Sequence, residues 1–206
     1  MGKIAHTACG ALIAFFVSLP VCSRTIGVGP KRACTNIGYA LKLARDGDVI
    51  KVYSGKVYHE RFKITRRITL TGVGNPVIDG DQKGNVVEIK ADGVTVKGLT
   101  IINSARSSNF DFCGLFGKDV HDVTVRNCKF RANQFSIMFQ NATNCTISGN
   151  SISSNITFNP LMGNAIHCWK SNNMTITRNM IGHNRDGIYL EFVNHSHIAN
   201  NYINGC

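Results

Sequence analysis

Met138, His167 and Tyr189 stand 29 and 22 residues apart, and Gln140, Trp169 and Glu191 repeat the same two steps. A thioether and an imidazole are soft donors of the kind that suits Cu(I), which makes Met138 and His167 the candidate metal ligands. Gln140, Trp169, Tyr189 and Glu191 add an amide, an indole, a phenol and a carboxylate, a mixed face able to stack and hydrogen-bond against a partner. The competing reading of the same six residues is an exposed sheet face without chemistry.

Equal steps imply a repeat that positions these residues. Val96, Val125, Ile147, Ile176 and Ile198 are separated by 29, 22, 29 and 22 residues, so the longer step is the shorter plus seven. Two residues before them stand Val94, Val123, Cys145, Met174 and Ser196, and five after them stand Ile101, Phe130, Ile152, Ile181 and Ile203. Leu99, Cys128, Asn150, Asn179 and Asn201 form a further column, as do Leu115, Ile137, Ile166 and Ile188. Side chains two positions apart share a strand face. A unit of about 22 residues with short β segments, Asn at turns and tolerated insertions is the signature of a coil whose rungs stack in parallel. Leucine-rich repeats have similar periods but need a Leu scaffold that this chain lacks. The expected fold is all-β: a single-stranded, right-handed parallel β-helix, a pectate-lyase-like solenoid. Ile stacked on Ile fills its interior, and Asn150, Asn179 and Asn201 can form an amide ladder. If Ile137, Ile166 and Ile188 point inward, then Met138, His167 and Tyr189 point outward, about 4.8 Å apart per rung.

Many coils of this kind act on polysaccharides. Glycoside cleavage by the usual route needs two facing carboxylates, and a lyase needs a base and a charge stabiliser in a groove. From Asp111 onward the acids along the coil are Asp111, Asp119, Asp122, Asp186 and Glu191, and only Glu191 falls in the aligned outward columns. No catalytic pair is visible, so a carbohydrate-active or carbohydrate-binding protein acting on acidic polysaccharide stands as the alternative function. His183, His195 and His197 are expected in or near turns, where neutral imidazole can bind metal but a lone histidine is usually solvated. Arg185 and Asp186 are expected to pair locally and Phe192 to point inward.

With 43% hydrophobic and 17% charged residues, the 206-residue chain is no disordered tail and can bury one sizeable core. Its 20 Gly and 21 Asn suit a chain that turns often and regularly. The net charge of +11 is scattered rather than blocked. That favours an acidic partner, while the lack of a basic stripe with stacking aromatics argues against nucleic acid. Lys3, an apolar stretch to Val21 and then Cys22-Ser23 read as a signal peptide over residues 1–23. The remainder, 24–206, is then one exported, periplasmic coil domain with no membrane span after cleavage. Cys34, Cys113, Cys128, Cys145, Cys168 and Cys206 would meet conditions that permit disulfides, but no C-x-x-C pair occurs. Their places in apolar periodic segments make several of them small core residues. Residues 35–47 place Ile37, Leu41 and Ala44 on one face of a short helix that can cover the N-terminal end of the coil. At the other end Ile203-Asn-Gly-Cys206 stops inside a rung without a polar cap, so the coil is expected to be incomplete there.

Asn164-Ala-Ile-His-Cys-Trp169, followed by Gly182-His-Asn-Arg-Asp-Gly-Ile-Tyr-Leu-Glu-Phe-Val193, resembles the central rungs of the NosD family. Gly47-Asp-Val-Ile-Lys-Val52, Tyr58-His-Glu60 and Asn75-Pro-Val-Ile-Asp-Gly80 resemble its opening rungs, which many β-helix proteins share. The resemblance implies a non-catalytic periplasmic accessory factor in nitrous oxide reductase maturation, working with an ABC transporter, a copper chaperone and the reductase during assembly of its copper–sulfide centre. Copper handling is an implication of that resemblance. Ala165 and Cys168 stand where it implies Gly and Leu, and Cys168 should face inward. Family members also continue through further rungs and a C-terminal part beyond the position of Cys206.

Overall fold

A computed structural model describes residues 23–154 and 161–206. The predicted signal peptide lies outside the described residues except for Ser23. The rest coils through three parallel sheets. The first holds Thr25–Val28, Val49–Tyr53, Thr69–Val73, Thr95–Lys97, Thr124–Arg126, Thr146–Ser148, Thr175–Thr177 and His197–Ala199, in that order. The second holds Val57–His59, Val77–Asp79, Thr100–Ile102, Lys129–Arg131, Ser151–Ser153, Met180–Gly182 and Tyr202–Asn204. The third holds Phe62–Ile64, Val87–Ile89, Cys113–Lys118, Phe135–Gln140, Ile166–Trp169 and Ile188–Glu191. Each turn of the chain visits the sheets in the same order, which makes a parallel β-helix.

The registers follow the sequence columns. Val96, Val125, Ile147, Ile176 and Ile198 are successive partners in the first sheet, and Ile101, Phe130, Ile152, Ile181 and Ile203 in the second. Most are fully buried, each such side chain contributing roughly 1.5–3 kcal/mol of transfer free energy. The third sheet alternates size: Gly117 pairs with Phe139, and a Cβ on Gly117 would stand 2.6 Å from that ring. Cys168 faces inward between Phe139 and Leu190, as the alternation requires.

Between the first and second sheets the asparagines form the predicted ladder. Asn150 Nδ2 donates to Asn179 Oδ1 at 2.9 Å, and Asn179 Nδ2 to Asn201 Oδ1 at 2.9 Å. The same amides reach the carbonyls of Val125, Ile147 and Ile176. Each amide thus bonds both its stacked neighbour and a strand carbonyl of the preceding rung, so the ladder is satisfied where it is buried.

At the N-terminal end the helix is Ile37–Leu43, shorter than the segment read from sequence. Asn36 caps it and Glu60 accepts from the amides of Ile37 and Gly38 at 3.0 and 2.9 Å. Its buried residues are Ile37 and Ala40, with Ala44 just beyond; Leu41 is only partly buried. Asp48, held by Arg24 at 2.8 Å, has its carboxyl lowered to about 2 by that hydrogen bond. In the last rung Ile198 and Ile203 are 42% and 46% exposed, unlike their stacked counterparts. Phe192 does not point inward: its strand ends at Glu191, and the left-handed turn that follows (φ 53°) leaves the ring exposed. No helix among the described residues is long and apolar enough to cross a membrane.

Candidate functional site

The outward columns of the third sheet form as the alternation predicts. Met138 pairs with His167 and His167 with Tyr189; Gln140 pairs with Trp169 and Trp169 with Glu191. Upstream, Phe116 and then Glu88 continue the first column. The face is not open, however. Met138 is 2% exposed and His167 is partly buried, whereas Tyr189 at the next rung is 42% exposed.

The cover comes from the seven-residue insertions. Both longer steps fall between a second-sheet strand and the third-sheet strand that follows it, after Ile102 and after Ser153; of the second segment the described residues are 154 and 161–165. The first is stapled down by Gln134, whose Oε1 accepts from Ser107 and Phe112 and whose Nε2 donates to the Ser107 carbonyl at 2.7 Å. Within the second, Gly163 donates to the Gln134 carbonyl at 3.0 Å and lies so close to Phe135 that a Cβ would stand 2.8 Å from the ring. Only glycine allows that approach.

Under this cover Cys113, Phe135 and Met138 form a small buried apolar cluster, with Phe116 against it, separate from the coil interior. The Cys113 and Met138 sulfurs are 3.8 Å apart. Gln140 Nε2 approaches the same thioether at 3.7 Å, and the Cys113 thiol lies 3.7 Å from the Asp111 carbonyl. The His167 ring sits 5.9 Å from that of Phe135 and meets Tyr189 edge-on at 4.9 Å. Both its nitrogens are buried without a hydrogen-bond partner among the described residues. Burial holds the His167 pKa below the ordinary imidazole value, outweighing the opposing carboxylates of Asp111 and Glu191. Burial, aided by Asp111 and Glu88, pushes the Cys113 thiol well up.

The register sets Met138 against His167 as the alternation requires, while the sequence reading, which made several cysteines small core residues, did not single out Cys113. Two residues before inward Leu115, simple alternation sends Cys113 inside; instead the strand begins at the corner and the side chain joins the outer cluster. The signal available was the insertion that ends immediately before it.

Among the other predicted residues, Trp169 carries Lys170 4.4 Å over its ring. Arg185 pairs with Asp186 at 3.2 Å as expected and also donates to Asn164 Oδ1 at 3.0 Å. His195 Nδ1 lies 3.2 Å from Asn172 Oδ1, while His183 joins no donor cluster. Cys34, Cys128, Cys145 and Cys168 are free thiols in the coil interior, with burial raising Cys128 and Cys168 to about 12 and Cys145 to about 11. Such thiols are inert. Sequence reasoning also missed a polar group on the second sheet: donor atoms of His59, Asp79 and Asp81 lie within 4.8 Å of one another. His59 Nδ1 is 2.7 Å from Asp81 Oδ1.

A thiol, a thioether and a neutral imidazole with unmet hydrogen-bonding capacity make a donor set that fits Cu(I). The family described as periplasmic copper-binding protein (NosD) matches residues 44–206. No curated protein matches significantly. Among solved structures, the catalytic domain of a GH87 α-1,3-glucanase is similar at 18% identity with a TM-score of 0.67, covering 92% of this chain and 35% of its own. A putative glycosyl hydrolase from Parabacteroides merdae is 8% identical with a TM-score of 0.61, covering 80% of this chain and 86% of its own. An alginate lyase from a Paenibacillus species is 14% identical with a TM-score of 0.55, covering 86% and 75%. At these identities the similarity establishes the shared coil alone.

Proposed function

The chain belongs to the NosD family of periplasmic copper-binding proteins, and from that premise we propose that it is a non-catalytic accessory factor in nitrous oxide reductase maturation that takes up Cu(I) at Met138 and His167. In this reading copper is cargo for the reductase's copper–sulfide centre, received from a copper chaperone, with an ABC transporter and the reductase as further partners. One observation supports this reading: the His167 imidazole, one rung from Met138 in register, is buried with neither ring nitrogen hydrogen-bonded among the described residues. A buried polar group without a partner costs roughly 1–3 kcal/mol, and a bound metal ion would recover that cost. Gln140, Trp169, Tyr189 and Glu191 border the same face and are the proposed client contact.

The carbohydrate alternative finds no facing carboxylate pair in the outward columns of the third sheet, and the Asp79–Asp81 pair on the second sheet is already engaged by Asn103 and His59. The carboxylates in the two outward columns are Glu88 and Glu191, on strands separated by three others, hence roughly 20 Å apart along the axis. Facing pairs in glycosidases stand at about 5–10 Å.

The test is complementation of a strain lacking its own factor, reading the copper content of the purified reductase. This chain should restore copper, and the Met138→Leu/His167→Gln double variant should not. Restoration by the double variant would remove the site from this position. Release of reducing ends or unsaturated products from alginate or polygalacturonate would instead support the carbohydrate reading.

A further inference from the structure

We propose that Cys113 is the third ligand of this site: its thiolate, with the Met138 thioether and the His167 imidazole, binds Cu(I) as a neutral three-coordinate complex. The inference rests on the copper reading above and extends it to a residue that neither spacing nor family resemblance had indicated.

Three observations converge. The first is distance. Two sulfurs each about 2.3 Å from one ion at trigonal angles stand about 4.0 Å apart, and Cys113 Sγ and Met138 Sδ are already 3.8 Å apart. The second is charge. Cu(I) held only by a thioether and an imidazole would keep its full positive charge among Phe116, Phe135 and Met138, where an uncompensated ion is strongly disfavoured. A thiolate cancels that charge. The third is the wall opposite. Phe135, which packs against Cys113 and Met138, also has its ring 5.9 Å from that of His167, so one aromatic ring borders donors carried by three successive rungs. Phe135 also lines a neighbouring cleft of about 310 Å³ together with Asp111, Met162 and Arg185. This cleft carries a carboxylate and a further thioether on its wall.

Binding breaks the Cys113 S–H bond and forms a sulfur–copper bond. The proton leaves to solvent, copper stays Cu(I), and no electron is transferred.

The experiment is anaerobic Cu(I) titration of the chain against a chromogenic chelator, with copper X-ray absorption on the loaded samples. Cys9, Cys22 and exposed Cys206 are replaced by Ser to remove competing thiols. The expected result is one ion per chain with two sulfurs and one nitrogen in its shell and a near-ultraviolet thiolate-to-copper band. Cys113→Ser should lose the band and one sulfur and bind at least about tenfold more weakly. Cys113→Ala should match it, and an unchanged melting temperature in either variant separates ligation from folding. If Cys113→Ser keeps both the affinity and the sulfur count, the inference is overturned while Met138 and His167 stand. If the parent chain binds no Cu(I), the copper reading fails and Cys113 falls with it.

Discussion

Two groups of metal-competent side chains decorate the outside of this coil, and they differ in almost every respect that matters for holding an exchangeable ion. His59, Asp79 and Asp81 lie near solvent on the second sheet, and their needs are already met. His59 pairs with Asp81 at 2.7 Å, and Asn103 Nδ2 donates to both oxygens of Asp79 at 3.0 and 3.1 Å. Lys83 stands 3.8 Å from Asp81 as a competing cation. Cys113, Met138 and His167 are soft donors, the two sulfurs buried in an apolar cluster and weakly engaged, and the imidazole finds no donor or acceptor among the described residues. Ionisable groups are more numerous in the first cluster, yet unmet bonding capacity in a low-dielectric space is found in the second. For a soft monovalent cation the second property decides, because at the imidazole the ion replaces no hydrogen bond and at the sulfurs only weak ones.

The comparison breaks most decisively if copper ignores the soft cluster. Met138→Leu with His167→Gln is expected to lower Cu(I) affinity by more than about 100-fold, beyond the effect of disturbing an outer partner. His59→Gln with Asp79→Asn should leave the affinity unchanged in the same chelator competition. Equal losses from the two pairs would erase the distinction.

A smaller effect is expected from lifting the cover without touching a donor. Gly163→Ala places a methyl 2.7 Å from the Gln134 carbonyl and 2.8 Å from the Phe135 ring, so the segment must shift. Overpacking of this kind costs about 1–3 kcal/mol, read as a lower urea midpoint. Water then reaches His167, and Cu(I) affinity should fall about tenfold as the dry space is lost. Retained affinity with lowered stability would show that the cover serves the fold alone.

Much of this architecture was legible beforehand because a solenoid writes its contacts into its period. Stacked neighbours are one step apart in sequence, so Val125 over Val96 and His167 over Met138 follow from counting. The asparagine ladder was equally visible, since an amide recurring at each turn can satisfy the next rung's backbone. What the period does not carry is what happens where it is broken. The segment 103–112, together with Gly163, turned an open sheet face into a covered one, and the corner before Leu115 sent Cys113 outward against strict alternation. Phe192 was misplaced for the same reason, because alternation was continued past the end of its strand. The cluster at His59 joins a strand residue to two acids near a left-handed turn, Asp79 and Asp81, a juxtaposition that no column marks.

The smallest effect concerns the two imidazoles in the metal-free protein, which the two environments drive in opposite directions. Burial lowers His167, whereas the hydrogen bond that His59 donates to Asp81 raises His59, both from an ordinary value of 6.5. In an NMR titration His59 should therefore protonate first as the pH falls, and His167 last of the two. The linked stabilities have opposite signs. The His59 pairing contributes below the ordinary pKa and is lost as pH rises through the raised one. The His167 environment imposes no penalty above the ordinary pKa, and stability falls as the pH drops through the lowered one. Asp81→Asn removes the charge that holds His59, so its titration should return to the ordinary value while His167 and Cu(I) affinity stay put. Coincident titration of the two histidines would mean that water reaches His167 as freely as it reaches His59, and the contrast between a wet, satisfied cluster and a dry, unsatisfied one would collapse.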